Sequence, residues 1–352
     1  MKNFPLLCFR LGKNLNLSRI NDSFSRRKLF SHESLRLETF IETRKNTANK
    51  IDDIEGFKAA METKCEDQNN SLVFTEDLRK MVRLAENDND ISILFKLTKK
   101  FNSQQNVVRF GTYTVGPEIM RLYYILNKPH EALEAMRNPE TTLIFKELSS
   151  FIILCDLLYE NKMYMEVLEV FDLFSNKPFH KFPQNIIIVS FASCYKLNTP
   201  MALEKGKIIW TMCNEISQNL TVRAIGLYAA LALNQGDLDL ACEIISLIRK
   251  ETTIGNNILV QIYSSQKNCS KVSRILNNML YGDVNLGEIF LCTDTIDCIQ
   301  KAYLNAPEEE CMKLEKLLQE LKLHKYITNK TLDDYLCEEI NIAQVRKNHN
   351  SY

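Results

Sequence analysis

Glycine and proline are scarce, at 10 and 8 of 352 residues. That scarcity argues against a turn-dense β-sandwich and against a fold built on glycine-rich nucleotide loops. Neither G-x-x-x-x-G-K-S/T nor G-x-G-x-x-G occurs, so ATP- or dinucleotide-driven chemistry lacks its usual phosphate cradle. Cysteine is present at 11 residues, an odd number, yet there is no C-x-x-C and no histidine close to any of them. Neither a disulfide framework nor a zinc site is indicated, and cysteines such as Cys155, Cys194, Cys213 and Cys242 read as small core hydrophobes in a reducing compartment. The five histidines (His32, His130, His180, His324, His349) never fall at i, i+4. No apolar run approaches the ~18 residues of a membrane span; the longest, Ala224–Leu233, stops at ten. The acidic runs Glu308–Glu310 and Glu338-Glu339 read as helix-start or solvated charge rather than acid–base pairs. No catalytic residue, metal or cofactor is expected.

Net charge is zero, but its sign is unevenly spread. The first 32 residues carry seven basic side chains (Lys2, Arg10, Lys13, Arg19, Arg26, Arg27, Lys28) and one acid, Asp22, which leaves 37 basic and 43 acidic residues in the remainder. An Arg-, Ser- and Leu-rich leader with so few acids has the composition of a mitochondrial transit peptide, assigned to residues 1–30, with the matrix as destination. Pro5 and Arg10 interrupt the apolar stretch that a secretory signal would need. The basic cluster Arg26-Arg27-Lys28 offers a cleavage point, and a disordered basic arm is the other reading of the same composition.

What the sequence does contain is repetition. Asn127, Asn161, Asn198, Asn234 and Asn268 each stand in a turn between apolar helical stretches, at spacings of 34, 37, 36 and 34 residues. Asn tolerates the left-handed backbone that ends a helix, and a following Gly or Pro prevents continuation. Around Asn161, Phe151, Leu154, Leu157 and Leu158 precede the turn at helical spacing, and Met163, Val167, Val170, Phe171 and Phe174 follow it. Ala132, Ala202 and Ala241 permit close approach of the paired helices. A two-helix unit of this length cannot bury its apolar stripe alone, so neighbours must stack into one elongated core.

The expected organisation is all-α. Residues 31–70 form a poorly ordered or single-helix segment. Residues 71–280 form the repeat array, with a degenerate helix pair at Thr75–Ala85 and Ile91–Phe101 followed by five units. Beyond Leu280 the register is lost, and residues 281–340 form a helical cap with helices near Asp294–Leu304, Pro307–Leu323 and Thr331–Glu339, Thr328 offering a cap. Residues 341–352 are a flexible tail.

The segment from Phe151 to Phe174 resembles the pentatricopeptide repeat, in which an aromatic opens the first helix and a short turn leads into an amphipathic second helix. Phe110-Gly111, Gly116 to Leu122, Phe191 to Pro200 and Ala229 to Gln235 resemble animal mitochondrial members of that family. The resemblance implies a right-handed α-solenoid that binds single-stranded mitochondrial RNA, supports transcript maturation and respiratory-chain upkeep, and carries no active site. In plant-type members a polar side chain early in each first helix reads one base. The corresponding positions here are Pro117, Ile152, Ile188, Gly226 and Asn257, of which only Asn257 has the required chemistry. Arg109, Arg121, Lys196 and Arg223, on or near the first helices, are the other RNA-contact candidates. The competing reading is a protein-binding scaffold of the mitochondrial ribosome or an RNA-processing complex, because the chain without its leader is slightly acidic.

Overall fold

The computed structural model describes residues 29–66, 71–104, 114–175, 181–282, 289–304 and 306–340. These residues form 18 α-helices and one 3-10 turn. Among them extended pairing is limited to two isolated bridges, Phe30 with Ile340 and Leu291 with Ile327. The chain divides into two compact units, one of residues 32–153 and one in which residues 29–31 join residues 154–340.

The first unit contains α1 (His32–Leu35), α2 (Leu37–Ala48), α3 (Ile54–Glu66), α4 (Thr75–Leu84), α5 (Asp88–Ser103), α6 (Gly116–Ile125), α7 (Pro129–Arg137) and the opening turns of α8 (Leu148–Glu160). Three helices therefore occupy the stretch expected to hold one. Their buried faces carry charge, which hides the apolar period. Arg44 of α2 is buried and donates to the carbonyls of Val82 (3.2 Å) and Ala85 (2.6 Å), closing the C-terminal end of α4. Burial holds its pKa down at about 10, against the pull of Glu86 and Asp90. Lys58 of α3 lies 2.8 Å from Asp90 of α5, both nearly sealed from solvent. Asp90 also accepts from the backbone N of Glu86 at 2.8 Å and returns a capping box with Asn87, which starts α5 at Asp88.

In the second unit the helices alternate. α9 (Tyr164–Ser175) follows α8; then come the pairs α10 (Gln184–Leu197) with α11 (Pro200–Glu215), α12 (Val222–Asn234) with α13 (Leu238–Ile245), and α14 (Thr253–Ser265) with α15 (Cys269–Tyr281). Each first helix packs on its own partner and on the first helix of the next pair, α10 on α12 and α12 on α14. Enclosed on several sides, these helices are apolar almost all round: every residue from Ile186 to Cys194, and from Ala224 to Ala232, is buried. Ala132, Ala202 and Ala241 are buried as the close-approach reading requires.

One left-handed residue ends the first helix of five pairs: Asn127, Lys162, Asn198, Gly236 and Lys267, with φ between 47° and 81°. In four of these turns the next N–H reaches back five residues, Lys128 to Tyr123, Met163 to Leu158, Asp237 to Ala232 and Asn268 to Tyr263, each at 2.9 Å. That is the Schellman arrangement. Asn161, Asn234 and Asn268 stand in the turns but do not supply the left-handed residue. Asn161 donates its amide to the Leu157 carbonyl, and Asn268 caps the next helix by accepting from Lys271 N.

The register is not lost after Leu280. α16 (Thr293–Tyr303) packs on α14 as the earlier first helices pack on one another, and α17 (Glu308–Leu323) packs on α15. Val260, Val272, Leu276, Ile299, Leu314 and Leu321 share one core there. Part of the expected linker, residues 283–288, lies outside the described residues, as do residues 341–352. α18 (Leu332–Leu336) is shorter than expected, and Thr331 rather than Thr328 caps it, by accepting from Asp334 N. Thr328 instead accepts from Lys330 N at 3.2 Å. Residues 1–28 of the leader lie outside the description, but Leu29 and Phe30, assigned to it, are fully buried in the second unit.

Candidate nucleic-acid interface

The first helices of the second unit present one common face, and the chain's own C-terminal segment runs across it. After α17, residues 326–328 pair with Leu291 beside α16: Leu291 N donates to Tyr326 O at 2.8 Å, and Thr328 N to Leu291 O at 3.0 Å. Asp294 of α16 accepts from Leu332 N at 3.0 Å. α18 then packs on α16, α14 and α12. At Gly226 of α12 the absence of a side chain matters, because a Cβ would press into Ile254 Cγ2 and lie 3.1 Å from Leu336 Cδ2. Further on, Asp333 meets Lys196 of α10 at 2.5 Å, and Cys337 Sγ lies 3.6 Å from Tyr159 Oη of α8.

This strap decides the fate of the candidate contacts. Lys196 is held by Asp333, and Arg223 donates through Nη1 to the Glu338 carbonyl at 2.7 Å. Burial lowers the pKa of Arg223, with Glu338 and Cys337 opposing that shift. Asn257 is fully buried, its amide donating to Thr253 O and Phe290 O, both at 2.7 Å, while its carbonyl oxygen accepts from Cys292 N at 2.8 Å. That leaves Asn257 a structural clamp rather than a base reader, since a buried amide so engaged offers no edge to a nucleotide. In the first unit Arg121 donates to the Leu35 carbonyl at 2.8 Å. Arg109 lies outside the described residues.

The five positions aligned with base-reading residues, Pro117, Ile152, Ile188, Gly226 and Asn257, are all buried. Buried in this way none of them presents a base-reading edge to solvent, and four of the five lack the required side-chain type as well. The residues missed from the sequence are the strap's anchors, Asp294, Asp333 and Glu338. Their only signal was the Thr331–Asp334 capping box, which marks a helix start but not what the helix packs against.

The cluster around Lys196 is crowded rather than reactive. Burial raises the pKa of Tyr195 and Tyr159, with Asp333 and Cys337 adding to it. Burial likewise raises the Cys337 thiol, with Lys196 pulling the other way. Burial raises Asp294, opposed by the hydrogen bond from Leu332 N. Cys292 is pushed up to about 12 by burial, so it stays a neutral thiol at physiological pH. Among the described residues no three His, Cys, Asp or Glu side chains gather as a metal group, and no helix is long and apolar enough to cross a membrane.

No family model matches the chain. It is similar to pentatricopeptide repeat-containing protein 2, mitochondrial, of Xenopus laevis, at 26% identity over 77% of this chain and 71% of the relative. The Mus musculus protein of the same name is 27% identical over 76% and 71% of the two chains. The Homo sapiens protein is 26% identical over 80% and 72%. These relatives are named for pentatricopeptide repeats and for mitochondria, and the location of the chain is mitochondrial.

Proposed function

We propose that the chain is a right-handed α-solenoid of the mitochondrial matrix that binds single-stranded RNA and supports transcript maturation by binding and positioning, without catalysis of its own. The observation that supports this most is the recurring helix pair, each first helix ended by one left-handed residue, in a chain similar to proteins named for pentatricopeptide repeats. Recognition in this reading is by shape and phosphate charge, because the aligned code positions are buried. The test is binding of the intact mature chain to mitochondrial transcript fragments across a salt series, with double-stranded DNA as control. Affinity for single-stranded RNA that falls steeply as salt rises is the expected result. No binding at low salt by a chain shown to be folded by circular dichroism refutes it.

A second reading, a scaffold for the mitochondrial ribosome or an RNA-processing complex, is favoured by one specific finding. All four described candidates for RNA contact already hold partners in their own chain. A chain that fails the RNA test yet co-purifies with ribosomal or processing proteins in stoichiometric amount would establish this alternative.

A further inference from the structure

We infer that single-stranded RNA is held through its phosphates by the second helix α15, with Lys271 and Arg274 as the contacts and the exposed Tyr281 ring as a platform for one base. The inference rests on the RNA reading of the chain and names the surface that carries it. The common face of the first helices is crossed by the chain's own segment 326–340, which engages Lys196 and Arg223. A polyanion is left with the second helices, and these differ in charge. α9 holds Glu166, Glu169 and Asp172 with no cation, and α13 holds Asp239 and Glu243 with none. α11 has two lysines, each already paired, Lys205 with Asp172 and Lys207 with Glu204. Of these four helices α15 alone has cations and no acid.

Lys271, Arg274, Asn278 and Tyr281 fall within an arc of about 80° at 3.6 residues per turn, and all four are exposed. Lys267 stands in the turn just before the helix. Arg249 and Lys250 precede Glu251, which accepts from Asn278 Nδ2 at 3.3 Å and so lies beside the later turns of α15. Among the described residues none of the cations Lys267, Lys271, Arg274, Arg249 and Lys250 forms an ion pair, unlike Lys196, Lys205 and Lys207. Such cations meet a phosphate by releasing its counterions, without first breaking a bridge of their own. Lys271 Nζ rests 4.5 Å from the centre of the Tyr263 ring, which holds the ammonium group without neutralising it. At the end of the stripe Tyr281 is 71% exposed, and its hydroxyl donates to Glu320 at 2.8 Å, which fixes the ring. An exposed ring beside a row of cations suits a strand whose bases are free to stack, not a duplex. The stripe presents no exposed aliphatic side chain, which a lipid surface or the centre of a protein interface would use.

The test compares the intact mature chain with the double variant Lys271→Gln, Arg274→Gln for binding of a single-stranded mitochondrial transcript fragment across a salt series. Removing two phosphate contacts should weaken binding roughly tenfold at low salt and reduce the slope of log affinity against log salt by about 1.4. Tyr281→Leu should weaken binding several-fold with the slope unchanged; full affinity in that variant overturns the stacking role. Lys205→Gln with Lys207→Gln makes the same change in net charge on α11 and should leave affinity and slope nearly as they were. A wild-type chain that binds RNA no better than the α15 double variant, or an equal loss in the α11 variant, overturns this inference and spares the RNA reading. A folded wild-type chain that binds no RNA overturns both. Binding to vesicles of anionic phospholipid in place of RNA, lost in the α15 variant, makes the stripe a membrane contact and likewise overturns the inference.

Discussion

Asn257 separates a structural role from a nucleic-acid role cleanly. Its amide joins α14 to residues 290–292, and Thr253 Oγ1 adds to the same join by accepting from Phe290 N at 3.2 Å. In Asn257→Ala the Thr253 carbonyl keeps its place in the helix, but Phe290 O loses a donor and the buried Cys292 N loses its acceptor. Each stranded group costs about 1–3 kcal/mol, so the loss is on the order of 2–6 kcal/mol. For a domain of this size roughly 2–4 °C accompanies each kcal/mol, and melting should fall by at least about 4 °C. The assay is a thermal melt by circular dichroism alongside RNA binding measured well below the transition. The expected outcome is a large fall in melting temperature with RNA affinity of the folded fraction unchanged. A variant that melts within about 1 °C of the parent yet binds RNA several-fold more weakly refutes the clamp and restores Asn257 as a contact residue.

Further outcomes follow from the same geometry. Asp90→Ala strands the buried Lys58 ammonium and removes a capping box, so it should destabilise by about 3–5 kcal/mol. Adding Lys58→Met should recover much of this in a double-mutant denaturation cycle, and strict additivity would show that the pair is not coupled. Gly226→Ala must displace Ile254 and Leu336 and should cost about 1–3 kcal/mol in urea unfolding; a neutral result would mean that the strap does not seat there. Asp333→Ala breaks a partly buried pair worth about 1 kcal/mol. It frees Lys196, so tighter RNA binding with near-unchanged melting is expected if the first-helix face takes RNA, and unchanged binding excludes that lysine. Burial pushes the thiols of Cys194 and Cys292 up to about 12 and that of Cys213 to about 11. These groups remain protonated in the folded chain until pH approaches those values. Iodoacetamide at pH 8 should reach them only on unfolding, and native-state labelling at the rate of a free thiol would contradict their burial.

The helix pairs were legible because each carries a local signal: apolar residues at helical spacing, a turn of recurring length and small residues at close contacts. The turns were legible in place but not in detail. The backbone needs one left-handed residue, and Lys162, Gly236 and Lys267 supply it as well as Asn127 and Asn198 do. α2 and α3 escaped notice because their buried faces include Arg44 and Lys58, whose partners lie on other helices. The same limit governs the site. A sequence displays the charge of Lys196 or Arg223 but not the Asp333 or Glu338 that engages it, more than a hundred residues away. Asn257 stood out as a polar residue in an apolar helix, and a polar residue in such a setting marks either a ligand contact or a buried join. Only the positions of residues 290–292 distinguish the two.

The pairing of Leu29–Ser31 with Ile340 also fixes an order of assembly. The second unit is discontinuous in the chain: residues 32–153 intervene between Leu29–Ser31 and Leu154 in α8. A polypeptide delivered from its N-terminus can complete the first unit while the second still lacks α18 and its end. Leu29 and Phe30 can meet Asp156 earlier, but the backbone bonds that join Leu29 and Ser31 to Ile340 form only after Ile340 is made. Contacts this distant in sequence form slowly because loop closure precedes any gain. The step that completes the second unit is therefore the joining of its two extremities. Truncation just before Ile340 should leave the helix pairs in place but slow or abolish this final closure.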